Sequence, residues 1–376
     1  MQDNVVENEG PYPAWPARAR WWLSVLVGSA AVWLWAEGRP LRAADATAKE
    51  EFPDLTGLSL EELYRLDMVQ LNVLTAHTHP QGQVMLGYRF MYMENEGYLD
   101  GSRELSGREV FGRGFPTIHT RMQMWEHMFD AMYAFTDRLT VMGMVPYREM
   151  SMKHLTSSGM PFTQSASGIG DIELMGSYVL FGPPRGGGHR LMLNGGFSIP
   201  TGSVEVRDHM NGISTAHRDV LEYPMQLGSG TYDLLPGLTD LGEHGPWSWG
   251  VQTMEHLRLG RNERGYRFGN QYMLSGWAAY GVTDWFAPYL RLEGRLWDNL
   301  SGRDREIDPL KTPEGGPDRQ GGTRADAVFG ISFYSPKGKL KGLRLALEGG
   351  VPIYQDLDGP QLSQSYRLTA GLTYEF

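Results

Sequence analysis

From residue 82 onward, apolar and polar positions alternate with a period of two through most of the chain. The last segment shows it best. Tyr366, Leu368, Ala370, Leu372, Tyr374 and Phe376 interleave with Arg367, Thr369, Gly371, Thr373 and Glu375. Strict alternation of this kind marks a strand lying between two different environments. Leu343, Leu345, Leu347, Gly349 and Val351 oppose Arg344 and Glu348 in the same way, and Phe286, Leu290, Leu292 and Leu296 oppose Arg291, Glu293 and Arg295. The pattern predicts twelve strands, at 82–93, 119–134, 138–150, 169–181, 189–200, 225–237, 247–259, 266–280, 285–297, 324–334, 342–352 and 366–376. A tilted strand of ~9–11 residues crosses a bilayer. The links also alternate. Those at 94–118, 151–168, 201–224, 298–323 and 353–365 are long, while Phe135–Asp137, Gly182–Gly188, Leu238–Pro246, Gly281–Asp284 and Ser335–Lys341 are short. The expected fold is therefore all-β, a transmembrane antiparallel up-and-down β-barrel with both termini periplasmic. A soluble β-sandwich alternates too, but it would not confine its long loops to one end. Nor would it set Tyr280 with Trp285, or Trp247 with Trp249, beside short turns, where a barrel carries its aromatic girdle.

The segment before residue 82 follows other rules. Arg18 and Arg20 precede an apolar run from Trp21 to Trp35, and Ala44-Asp45-Ala46 has the form of a cleavage site. Residues 1–46 thus read as a secretory signal peptide. The competing reading is one uncleaved anchor, for which the run falls short of ~20 residues. In the periplasmic segment 47–80, Ser59 and Glu62 form a capping box, and Leu60, Leu63 and Leu66 recur at helical spacing. A short helix near 59–68 is expected at the periplasmic end, as a lid or a small plug, with the barrel spanning 81–376.

Composition removes several alternatives. A 41% hydrophobic fraction and a slightly negative mean hydropathy exclude a helical membrane bundle. The 18 Tyr, 14 Phe and 11 Trp exclude a disordered chain. With no cysteine there is no disulfide, thiolate metal site or cysteine nucleophile. A net charge of −10 argues against nucleic acid as a partner. No G-x-S-x-G, H-E-x-x-H or phosphate loop occurs, so neither catalysis nor a cofactor is expected.

If the apolar set faces lipid, the alternate set faces a lumen. In later strands that set contains Arg291, Glu293, Arg295, Arg324, Asp326, Arg344 and Glu348, which would form either a charge ladder bracing the wall or a polar route. Early strands differ, because 13 of the 20 methionines lie between Met68 and Met160. Met85, Arg89, Met91 and Met93 are the inward set of the first strand, and Met142 and Met144 that of the third. In the second, Met122, Met124, Glu126, Met128 and Asp130 share one face. Three uses compete: adaptable packing, a compliant path for an apolar solute, and a soft-metal path selecting Cu(I) with help from His77, His79 and His119. The acidic loop 298–322 is either solvated or a Ca²⁺ site bridging lipopolysaccharide.

Four stretches resemble a family of bacterial outer-membrane proteins described as meta-pathway phenol-degradation transporters. They are Tyr133-Ala-Phe-Thr-Asp-Arg-Leu-Thr140, Ser167-Gly-Ile-Gly-Asp-Ile172, Gly195-Gly-Phe-Ser-Ile-Pro-Thr-Gly202 and the turn from Tyr280 to Asp284. The resemblance implies an outer-membrane barrel and supplies no catalytic residues. The expected function is a channel for a small solute, an apolar or aromatic compound or a soft metal ion, by passive or gated diffusion. The alternative is a structural or surface-interaction barrel with a closed lumen. Expected partners are outer-membrane lipid, lipopolysaccharide and the barrel-assembly machinery, the last through the final Phe376.

Overall fold

The computed structural model describes residues 78–184, 188–209 and 218–376. The expected signal peptide, the helix near 59–68 and His77 lie outside the described residues. Eleven strands close a barrel: β1 Val84–Gly101, β2 Thr117–Thr136, β3 Leu139–Thr156, β4 Ile172–Phe181, β5 Gly188–Ile199, β6 Gly237–His244, β7 Trp247–Leu259, β8 Gln271–Tyr280, β9 Phe286–Trp297, β10 Gly322–Tyr334 and β11 Leu343–Glu375. Each pairs antiparallel with its neighbours in sequence, and β11 pairs with β1 to close the wall. Three short strands lie outside this circuit: Arg103–Leu105 on β1, Pro161–Ile169 on β3, and Tyr232–Leu234 between β5 and β7.

The count of eleven rather than twelve arises at β11, which is 33 residues long. Its Arg344–Leu357 half pairs with β10 and its Leu357–Glu375 half with β1. Gln355 Nε2 donates to the Gln364 carbonyl at 3.1 Å, and the Gln364 amide donates back to Gln355 Oε1 at 2.9 Å. Residues nine apart meet this way only if the element folds back on itself. The segments expected at 342–352 and 366–376 are its two arms.

One expected strand is elsewhere. Of the expected strand 225–237 only Tyr232–Leu234 pairs, between β5 and β7, and the wall strand β6 runs over Gly237–His244, the segment expected to be a turn. Leu221, Met225 and Leu227 instead fold into the barrel and bury themselves against Met122, Met150 and Met152. That stretch is apolar because it packs inside on other side chains, and not because one face meets lipid. β6, by contrast, is short and carries Thr, Asp and Gly, so its alternation is faint.

Outward residues define an apolar belt. On β2 the outward series runs Phe135, Tyr133, Ala131, Phe129, His127 and Trp125, then turns polar at Gln123 and Arg121. Leu290, Leu292, Phe329, Leu345, Leu347, Leu368 and Leu372 are each 41–59% exposed on the same outer surface. An apolar surface this extensive is made for lipid. The aromatic pairs Trp247–Tyr280 (ring centroids 4.9 Å apart) and Trp285–Phe333 (6.3 Å) border it beside the short turns. Inside that end, Trp277 lies over Gly250 and Tyr289 over Gly330, where an added Cβ would sit 2.3 and 2.2 Å from the rings. Both rings belong to a buried cluster with Met192, Leu241 and Tyr334.

Candidate functional site

A cavity of about 460 Å³ occupies the lumen. One side is thioether: Met91 and Met93 from β1, Met124 and Met128 from β2, Met144 from β3, Met175 from β4, Met254 from β7 and Met273 from β8. The other side is charged, with Arg291, Glu293 and Arg295 from β9, Arg324 from β10 and Arg367 from β11. Arg89, Glu126, Arg148 and Glu173 complete the charged set, so six arginines face three glutamates. Buried charges persist only when paired, and seven of these nine pair as follows. Arg291 contacts Glu293 and reaches Glu348 at 2.8 Å, Arg295 donates to Glu293 at 2.5 Å, and Arg367 lies 3.4 Å from it. Tyr289 Oη donates to Glu348 at 2.7 Å, Arg324 pairs with Asp326 at 3.1 Å, and Arg148 with Glu126 at 2.7 Å.

Other expected lumen residues point inward but lie off this cavity. Met85 and Met142 pack with Met128 and Met132, while Met122 lies beneath the inward-folded segment. Asp130 fills the space left by Gly87. Arg344 is engaged by Glu375 at 2.7 Å near the short-turn end, and Glu348 is spent on Tyr289 and Arg291. The expectations passed over Arg148, though it continues the series Met142, Met144, Pro146 on β3. The loop residues described next carry no alternation that would mark them.

A second cluster sits above the apolar belt. A β-bulge between His119 and Arg121 reverses the parity of β2 and turns His119 into the barrel beside its cross-strand partner His154. Two loops meet it there. Glu222 comes from the segment between β5 and β6, and Glu314 from that between β9 and β10. Glu314 contacts Nδ1 of His119, and the backbone amide of Leu362 donates to its other oxygen at 3.1 Å. Nε2 faces Glu222 Oε2 at 3.0 Å, as an ion contact rather than an aligned hydrogen bond. Thr312 donates to the second Glu222 oxygen. Burial opposes a charge on His119, but the two carboxylates outweigh it and raise the ring's pKa from 6.5 to about 10. Burial, then the charge of His119, pulls His154 down to about 3. Burial raises the Glu222 carboxyl, yet His119 and Thr312 prevail and hold it below the usual range.

This corrects the expected histidine group. The backbone amide of His79 donates to Thr140 at 3.4 Å, and Thr140 pairs with Ala134 at the short-turn end of β2. His119 is fifteen residues further along that strand, about 50 Å away at ~3.3 Å per residue. His79 and His119 cannot share an ion. The acidic loop is not a Ca²⁺ cage either: Asp304 and Glu306 are taken by Arg264 at 2.7 and 2.8 Å, and Glu314 by His119.

No family model matches the chain, and no curated protein matches it. Among solved structures it is similar to the COG4313 outer membrane channel from Pseudomonas putida F1, at 13% identity, over 82% of this chain and 100% of that one, with a TM-score of 0.58. The likeness shows the fold, an outer-membrane-type β-barrel. The KdgM porin (10% identity, 78% and 99% covered) and the β domain of the Bordetella autotransporter BrkA (12%, 79% and 100%) align with TM-scores of only 0.38 and 0.40.

Proposed function

We propose that the chain is an outer-membrane channel through which small solutes diffuse passively. The carrying observation is the lumen cavity, whose β1–β4 side is mainly thioether with Arg89, Glu126, Arg148 and Glu173 among the methionines and whose β9–β11 side is arginine-rich. Such a cavity suits a small aromatic or apolar compound bearing a hydroxyl or carboxylate. Polarizable thioethers accept an apolar body of variable shape, while guanidinium groups accept the polar end. The resemblance to phenol-degradation transporters agrees with an aromatic solute. On the outer loops, Arg261, Arg303 and Arg305 line a hollow suited to lipopolysaccharide phosphates.

Flux into proteoliposomes tests the reading, with benzoate, phenol and glucose as probes. Benzoate and phenol should enter faster than glucose. The second reading, a closed structural barrel, draws on the cluster of Trp277, Tyr289 and Tyr334 that fills the short-turn end. Absence of both flux and conductance, with and without residues 47–80, would select it.

A further inference from the structure

The two inward-folded loops converge on one buried point of the wall, and the chemistry there is that of a ligand set. Two carboxylates approach a single imidazole from opposite sides, Glu314 at Nδ1 and Glu222 at Nε2. Donor atoms of the three residues lie within 4.8 Å of one another. Their side chains are 0%, 10% and 5% exposed for His119, Glu222 and Glu314. The cluster adjoins the hydrophobic packing of Met122, Met150 and Leu221.

The two contacts differ in kind. Nδ1 is in hydrogen-bond contact with Glu314, whereas Nε2 and Glu222 Oε2 face each other at 3.0 Å with neither atom hydrogen-bonded. Two ligands bound to one ion at ~2.0–2.1 Å are separated by roughly 2.9–3.4 Å, depending on the angle at the metal. The facing pair has that spacing. A carboxylate on the opposite ring nitrogen is the usual outer partner of a metal-bound histidine, where it fixes the tautomer. Next to this pair, the ring of His154 meets that of His119 edge-on, with centroids 4.6 Å apart. His154 is 2% exposed, and its Nδ1 has no hydrogen-bond partner among the described residues.

We propose that His119 Nε2 and Glu222 Oε2, with Glu314 as the orienting carboxylate and water completing the shell, bind a divalent ion of the zinc class. Imidazole and carboxylate ligands suit zinc better than the soft Cu(I) that thioethers select. The ion displaces the Nε2 proton that otherwise supplies the positive charge between the carboxylates, so binding releases a proton. The site ties the segment between β5 and β6, and through Glu314 the segment between β9 and β10, to the wall at the long-loop end of the lumen. It is separate from the cavity residues and does not depend on the channel reading.

The test is metal content and affinity of the full chain refolded in detergent. Protein stripped with EDTA is dialysed against Zn²⁺, bound metal is measured by mass spectrometry, and affinity by competition with a chromogenic chelator. One zinc per chain is expected. His119→Ala and Glu222→Gln should each weaken binding by more than the 10–100-fold expected for Glu314→Gln. His189→Ala, at the other end of the barrel, should leave it unchanged. Heat-modifiable gel mobility confirms that each variant is folded. A folded chain that holds no zinc at micromolar concentration overturns the proposal, since the cluster is then a protonated imidazole clamp. Undiminished binding in folded His119→Ala or Glu222→Gln overturns it as well.

Discussion

Met142 on one side of the lumen and Arg291 and Glu293 on the other are equally buried, each about 2% exposed, yet they are held by opposite rules. Met142 packs among Met85, Met128, Met132, Met144 and Met175, where unbranched side chains adjust to fill irregular space. No single contact there is indispensable. Glu293 sits among Arg291, Arg295 and Arg367, and the position of each group is dictated by the others. The thioether wall is compliant in shape and tolerant of exchange. The charged wall is rigid and intolerant of losing a member, because an unpaired buried charge has no water to turn to.

The largest expected effect strikes the charged wall. Glu293→Ala leaves three guanidinium groups without their shared counter-ion, and should cost roughly 3–5 kcal/mol of stability in urea unfolding from lipid, followed by tryptophan fluorescence. Next comes the thioether wall. Met142→Ala should cost about 2–5 kcal/mol through the cavity it opens, while the volume-conserving Met142→Leu should cost less than about 1.5. If Met142→Leu proved as damaging as Glu293→Ala, the contrast between compliant and rigid walls would fail. The smallest effects separate two glycines. Gly330→Ala drives a methyl into the Tyr289 ring and disturbs its bond to Glu348, for about 1–3 kcal/mol. Gly195→Ala meets nothing within 4 Å and should stay within about 0.5 kcal/mol of wild type.

Legibility followed the same division. Where one face meets lipid and the other does not, alternation reports the environment directly, and β2, β7, β9 and β10 fall within two residues of their expected bounds. The start of the stretch 225–237 misled because an apolar segment buried inside the barrel, as Met225 and Leu227 are, has the composition of a wall strand. The helix Gly107–Gly112 shows the reverse. Ser106 and Glu109 form a full capping box in a stretch expected to be only loop, since six residues are too few for helical periodicity to appear.

The amino-acid sequence by itself determined the barrel, its inward and outward faces along most strands, and the split between a methionine-rich and a charged half. These follow from local period, which needs no knowledge of what lies across the lumen. Tertiary structure alone decided which inward residues meet. Glu222 and Glu314, 92 residues apart, come from loops that have no repeating pattern, and His119 turns inward only because a bulge breaks the parity of its strand. Convergence of distant segments on one point is set by chain closure and packing, and a periodicity read along the chain contains neither.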